Sequence, residues 1–316
     1  MRAPPFLVSF DSAEEYFSAL SDETISLHKN QIIDLINKRL PPLVSIRCLA
    51  VLFGFSPKFI GSLLTHTEKY YRVFKIKKGK KIRQIQAPKI GLKVIQKWLT
   101  EHLSKTVQLE ECAYGFVPGK SYVHAAKKHL NAKWIYSVDI ENFFQTTSIL
   151  KVKEVFLKLG YCEKGAKIVS TLCCYNGYLA QGSPASPVLS NLIFTNLDKI
   201  ISVEAEKLGI TYTRYADDLV FSGKEEFPEE IKKVKNLIEE AGWKISEKKE
   251  HFSKLPNRLK VHGLLVHGDF VRLTKGYRNK IRAFRYLMQA NKVDKKDVSR
   301  IGGHITLAHH IELQAP

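Results

Sequence analysis

The chain has 316 residues, 44% hydrophobic and 26% charged, enough to bury one large core or two modest ones. Lysine and arginine outnumber the acids 50 to 31, and the resulting formal charge of +19 is spread along the whole chain, which points to nucleic acid as a partner rather than to a merely solvated surface. No apolar run of about 18 residues occurs, and the start carries acids and prolines where a signal peptide needs a basic end and a clean apolar stretch, so a cytoplasmic protein with no membrane partner is expected.

Residues 1–70 read as a helical lead-in, with Ile32, Ile33, Leu35 and Ile36 on one segment, Leu49, Leu52 and Phe53 on the next, and breaks at Pro41-Pro42 and Pro57. Residues 71–86 alternate apolar and basic side chains around Gly79, the pattern of a hairpin with one positive face. A helix from Leu92 to Leu103 follows, its Trp98 most simply core. The run WIYSVD is β-prone and delivers Asp139 at its end, and Ser148 caps a helix that Gly160 closes. After Pro187 a longer helix carries the stripe Leu189, Leu192, Ile193, Leu197, Ile200 and Ile201 up to Gly209. TYTRY, a tight Ala216-Asp217-Asp218 turn and LVFS make a second hairpin, and a further helix is predicted from Pro228, with Glu229 and Glu230 in its first turn, to Gly242. This order describes an α+β fold with an antiparallel sheet backed by helices.

The five cysteines include no CxxC pair, and Cys173 and Cys174 are adjacent, so they read as buried thiols in a reducing compartment. His124, His129, His304, His309 and His310 have no cysteine or carboxylate at ligand spacing and read as solvated or core histidines. The carboxylates are more telling. Two adjacent acids at a turn between apolar strands are costly unless a cation neutralises them. A solvated Asp-Asp turn is common, so the pair needs a third acid, and Asp139 at the end of its own strand supplies one across 78 residues of sequence. Three oxygen ligands suit Mg²⁺, and two such ions would serve both the attacking and the leaving oxygen of a phosphoryl displacement.

Over roughly residues 45–265 these features, in their order, resemble the reverse transcriptases, with a right-hand polymerase fold of fingers, palm and a small helical thumb. The resemblance implies an RNA-directed DNA polymerase that uses dNTPs, with Asp139, Asp217 and Asp218 as catalytic metal ligands and the main-chain carbonyl of Ile140 as a further one. It implies fingers over 71–133, with part of the palm, where KIKKGKKIRQIQAP would contact the triphosphate through Arg83 and Lys77 or Lys78. The palm would span 134–270, after the lead-in 1–70, and a short basic thumb 271–316. Phe144 falls at the position of the steric gate against ribose, although by composition alone it is a core residue. Within LAQGSPASP, Gln181 would lie against nucleotide and template, with Gly182 permitting close backbone approach. In GWKISEKKEHF, either Lys248 or Lys249 would protonate pyrophosphate, and KVHGLLV would support the primer end around Gly263.

Only 53 residues follow Gly263, room for a thumb with Tyr277, Ile281, Phe284 and Leu287 or Met288 on one face, and Lys275, Arg278, Arg282 and Arg285 turned to nucleic acid. With no space there for a ribonuclease H, integrase or endonuclease, the chain looks most like the retron reverse transcriptases. That kinship implies a structured noncoding RNA as template and primer, a branched RNA–DNA product (msDNA), a separate effector protein and a role in antiphage defence. Where those enzymes show Asn-Ala-x-x-His and Val-Thr-Gly, this chain has Ala125-Ala126-Lys127-Lys128-His129 and Val261-His262-Gly263. The departures leave open another group II intron-like or abortive-infection reverse transcriptase, and from a different class a mainly RNA-binding scaffold or antitoxin, against which three converging acids argue.

Overall fold

The computed structural model describes residues 3–79 and 81–313, without the side chains of Lys78 and Lys81. In chain order these form α1 (Ala13–Ser18), α2 (Asp22–Asn37), α3 (Ile46–Phe53), α4 (Pro57–Thr65), β1 (Tyr71–Lys78), β2 (Lys81–Pro88) and α5 (Ile90–Thr106). Next come α6 (Tyr122–Lys128), β3 (Trp134–Asp139), α7 (Phe143–Thr146), α8 (Ile149–Lys158), α9 (Glu163–Cys173), β4 (Cys174–Tyr175), β5 (Tyr178–Leu179) and α10 (Ala185–Lys207). The remainder is β6 (Thr211–Tyr215), β7 (Asp218–Gly223), α11 (Val234–Glu240), β8 (His251–Lys254), β9 (Lys260–Val261), β10 (Leu264–Leu265), β11 (Arg272–Leu273), α12 (Lys275–Gln289) and α13 (Lys295–Glu312). The chain divides into two compact units, residues 1–110 with 141–196, and residues 111–140 with 197–316.

In the first unit, serine hydroxyls at positions 12, 21, 45, 56 and 148 each accept a backbone N–H of the helix they precede, removing donors that would otherwise lack partners. The apolar stripes these caps align meet in a core that includes Leu35, Leu49, Leu63, Ile95, Trp98, Leu99 and Phe156. One of the buried polar residues beside it is Gln96, which donates to Tyr71 Oη (2.8 Å) and the Leu172 carbonyl (2.7 Å) and accepts from Ser183 Oγ (2.7 Å). A satisfied network of this kind fixes where β1, α9 and the 183 loop stand. β1 and β2 pair antiparallel from Tyr71↔Pro88 to Lys78↔Lys81, with residues 72–77 and 82–84 exposed.

The second unit is built on a four-stranded antiparallel sheet of order β6-β7-β3-β8. On one face Ile135 and Val220 join Val123, Ala126, Leu264 and Ile281 in a core that continues to Ala308 and Ile311 on α13. On the other, Tyr212, Tyr136 and Phe221 stack into an aromatic layer completed by Phe227. This is the expected antiparallel sheet backed by helices.

Two helix starts differ from expectation. α10 begins at Ala185, not after Pro187, because a proline in the first turn lacks only an N–H that has no partner there. The segment after Pro228 winds as a 3-10 turn over Glu229–Lys233 before α11, with no side-chain cap at its start. Among the described residues all five cysteines are free thiols, and no helix is long and apolar enough to cross a membrane.

Candidate active site

The sheet register brings the carboxylates together. Asp139 at the end of β3 is the direct cross-strand partner of Asp218 at the start of β7, and Asp218 in turn faces Tyr215 on β6. Directly opposed residues share a face of the sheet with Cβ atoms about 4.5–5.5 Å apart, where two like charges repel. Asp217 lies in the two-residue turn between β6 and β7, and its carbonyl accepts from the Ile140 N–H at 2.8 Å. Burial pushes the Asp139 carboxyl above its ordinary range, with Asp217 and Asp218 adding to this and the Lys249 ammonium opposing it.

Basic side chains of the same unit answer the repulsion. Lys249 Nζ pairs with Asp139 Oδ1, which distinguishes it from its exposed neighbour Lys248. His262 Nδ1 lies 3.0 Å from Asp218 Oδ2. Among the described residues no group of three or more His, Cys, Asp or Glu side chains is gathered to hold a metal. The donor set nevertheless fits a hard divalent cation: two opposed carboxylates and a third on the adjoining turn, each oxygen-only, with the Lys249 ammonium and the His262 imidazole beside them.

The turn between β6 and β7 is held from behind. Ala216 sits at φ +59°, strained for a residue with a Cβ, and is stabilised by its neighbours. The fully buried Arg214 guanidinium donates to the Ala216 carbonyl (3.1 Å) and to both oxygens of Asp198 on α10 (2.6–3.1 Å), and Tyr212 Oη donates to Asp198 as well (2.8 Å). On the outer edge of β6, Arg214 N–H donates to the Cys112 carbonyl and the Tyr114 N–H to the Arg214 carbonyl. A Cβ on Gly115 would lie 2.4 Å from the Ala216 nitrogen, so only glycine lets that segment pass the turn. Arg214, Asp198, Gly115 and His262 were not among the predicted site residues. The period-2 placement of Tyr212 and Arg214 on one strand face was the available signal, but it names no partner.

His129 is buried against the sheet, within 2.7 Å of both Thr213 Oγ1 and Ser222 Oγ, so it is a core histidine, whereas His304 is half-buried and bonded to the Tyr277 hydroxyl. Gly263 at φ +83° follows His262 at φ +49° in the two-residue turn joining β9 and β10. Lys275, Arg278 and Arg282 are exposed on α12, whereas Arg285 is paired with Glu312 of α13 at 3.0 Å.

The other predicted residues belong to the first unit. Gln181 is bolted to β2: its carbonyl accepts from the Gln86 N–H (2.8 Å), its own N–H donates to Gln86 Oε1 (2.9 Å), and Gln145 Nε2 donates to its side chain (3.3 Å). Gly182, at φ +127°, lies so near β2 that a Cβ would meet Ile85 Cγ2 at 2.8 Å. Phe143 is buried edge-on to Phe194, while Phe144 beside it is only half-buried. Lys77 and Arg83 are exposed on the β1–β2 hairpin, and the side chain of Lys78 lies outside the described residues.

Residues 76–287 match the family model for reverse transcriptase (RNA-dependent DNA polymerase). The chain is 31% identical over 259 residues to the retron Ec86 reverse transcriptase of Escherichia coli, covering 79% of each chain. It is 28% identical over 273 residues to the retron Ec83 reverse transcriptase of the same organism (81% of this chain, 88% of that one), and 28% identical over 257 residues to the retron Se72 reverse transcriptase of Salmonella heidelberg (78% and 68%). A matched region covering the opposed aspartates, the catalytic turn and the basic hairpin leaves one conclusion: the chain belongs to the retron-type reverse transcriptases, and is an RNA-directed DNA polymerase with their right-hand fold.

Proposed function

We propose that Asp139, Asp217 and Asp218, with the Ile140 carbonyl, hold two Mg²⁺ ions and extend a primer supplied by a structured noncoding RNA into single-stranded DNA, the msDNA of a retron. The observation that carries this is the register: Asp139 opposite Asp218 with Asp217 on the adjoining turn. The bound metal supplies a lowered cost for ionising the primer hydroxyl and an electrostatic clamp on the leaving oxygen. Lys249, already drawn to this cluster, is the better placed of the two lysines to give a proton to departing pyrophosphate. Arg83 with Lys77 and Lys78 on the fingers hairpin binds the dNTP triphosphate, and Gln181 and Gly182, seated on β2, meet nucleotide and template. Phe144, half-buried beside a core phenylalanine, excludes the ribose 2′-hydroxyl.

Residues 71–133 act as fingers, 134–270 as palm and 271–316 as thumb, with Gly263 under the primer end and Lys275, Arg278, Arg282 and Arg285 on the duplex. The free thiols suit the cytoplasm. Antiphage defence through a separate effector protein is read from the retron kinship and is tested by phage challenge of cells carrying Asp217→Asn.

The direct test is primer extension. Asp217→Asn or Asp218→Asn lowers DNA synthesis by roughly 10²–10³-fold, the scale of losing one preorganised electrostatic element, while RNA binding survives. Undiminished synthesis by either variant would overturn the assignment. Phe144→Ala admits ribonucleotides, and unchanged discrimination would return Phe144 to packing. The copurifying nucleic acid, treated with ribonuclease and debranching enzyme, should yield a DNA that changes mobility on debranching.

A further inference from the structure

The turn between β9 and β10 reaches into the catalytic cluster. Val261 pairs with Leu264, so His262 and Gly263 alone form the loop, both at positive φ, +49° and +83°. Such a two-residue turn is rigid, and histidine is among the side chains that tolerate its backbone. The turn therefore sets where the His262 Cβ stands, and the packing around it sets the ring. The His262 side chain is only 7% exposed, its ring centroid lies 5.3 Å from that of Tyr215, and its Nδ1 is 3.0 Å from Asp218 Oδ2.

We infer that His262 is a positioning residue for the carboxylate of Asp218, holding Oδ2 by an Nδ1–H hydrogen bond, which would leave Oδ1 to a bound cation. The inference rests on reading Asp218 as a metal ligand. Hydrogen-bond polarity supports the assignment, because an ionised carboxylate only accepts and the proton must therefore sit on Nδ1. Among the described residues Nε2 is buried without a partner. An unpaired buried nitrogen is costly, and a residue kept only to fill space between Tyr122, Tyr215, Leu264 and Tyr277 would do so better without one. What the imidazole offers that an apolar side chain cannot is the bond to Asp218. Lys249 on Asp139 is the matching restraint on the opposite strand, so each of the two opposed carboxylates has one oxygen held from within the unit.

Three substitutions separate positioning from packing. The amide nitrogen of asparagine stands the same number of bonds from the backbone as Nδ1, and asparagine also accepts positive φ; the amide of glutamine stands where Nε2 does. His262→Ala and His262→Gln are expected to raise the Mg²⁺ concentration that half-saturates primer extension roughly tenfold, the usual scale for losing an outer partner of a metal ligand. They should weaken Mn²⁺ binding to the protein free of nucleic acid, read by electron paramagnetic resonance titration, by a similar factor. His262→Asn keeps both near the parent, and the KM for dNTP at saturating Mg²⁺ is unchanged in all three. Parental Mn²⁺ affinity in Ala and Gln overturns the inference, and so does an Asn variant as impaired as Ala at an equal melting temperature. Asp218→Asn is measured alongside: if it polymerises like the parent, the metal-ligand reading fails, whereas an inactive Asp218→Asn beside an unaffected His262→Ala removes only the role of His262.

Discussion

In the β6–β7 hairpin Tyr212, Thr213, Arg214 and Ala216 are buried, and the turn is held by Arg214 from within, by Gly115 from the edge and by His262 through Asp218; in the β1–β2 hairpin, residues 72–77 and 82–84 are exposed. The first carries the acids and the second the basic residues proposed above to meet triphosphate. Carboxylates that must stand at fixed spacing against their own repulsion need preorganised surroundings. A basic strand pair that follows a flexible polyphosphate needs charge and reach, and a two-stranded ribbon with little burial supplies those at low rigidity.

The contrast breaks most sharply at Arg214. Arg214→Leu leaves the buried Asp198 without its counter-charge, though still bonded to the Tyr212 hydroxyl, and removes the Arg214 donor from the Ala216 carbonyl, so the loss is expected at about 3–5 kcal/mol in denaturant unfolding, with primer extension abolished. Replacing both partners together, Arg214→Leu with Asp198→Leu, should cost less than the sum of the single changes. Gly115→Ala comes next: its new Cβ meets backbone on both Tyr215 and Ala216, which cannot swing aside as a side chain tip would. A loss of roughly 1–3 kcal/mol is expected, with activity falling further than stability because the displaced element is the turn proposed to carry two of the metal-binding acids.

Acid sharpens the comparison from another side. Burial, with a smaller contribution from His262, pushes His129 down from 6.5 to about 3. The folded chain holds this ring neutral while the unfolded chain binds a proton below pH 6.5, so its contribution is complete above that pH and is lost progressively as pH falls towards 3. Urea midpoints at pH 7.5 and 5 should differ less in His129→Gln than in the parent. The smallest stability effect belongs to the other hairpin. Arg83→Ala should leave unfolding within about 0.5 kcal/mol of the parent, as for other exposed sites, while raising the KM for dNTP. A large loss of stability there would erase the distinction between the two hairpins.

Much of this was legible because it is periodic or local. Alternation marked the first hairpin and β-propensity with a tight turn the second, the helical stripes placed α5 and α10 to within a turn, and Ser148 announced α8. The acid triad was readable because strand ends and turns limit where three aspartates can converge. The supports were not. Arg214 in a β-prone run and Asp198 beside an apolar stripe each look like an exposed charge, and only the fold makes them a buried pair. Gly115 itself shows no positive φ, although it stands in a turn; its need for a bare Cα comes from Tyr215 and Ala216, about 100 residues further along the chain. Lys248 and Lys249 are equivalent in sequence, and a 3-10 turn decides which of them faces Asp139.

The backbone of residues 112–114 has a consequence for how copies of the chain treat one another. β6 is an end strand of its sheet, and the N–H and carbonyl of Arg214, which another strand could otherwise adopt, are bonded to Cys112 and Tyr114. The opposite end strand, β8, is four residues long and carries exposed His251 and Lys254. Short, charged or covered edges are how sheets resist strand-by-strand association. The segment that passes Gly115 behind the catalytic turn thus also seals the border of the sheet, and loosening it would expose an adhesive edge beside the site as well as disarm the chemistry.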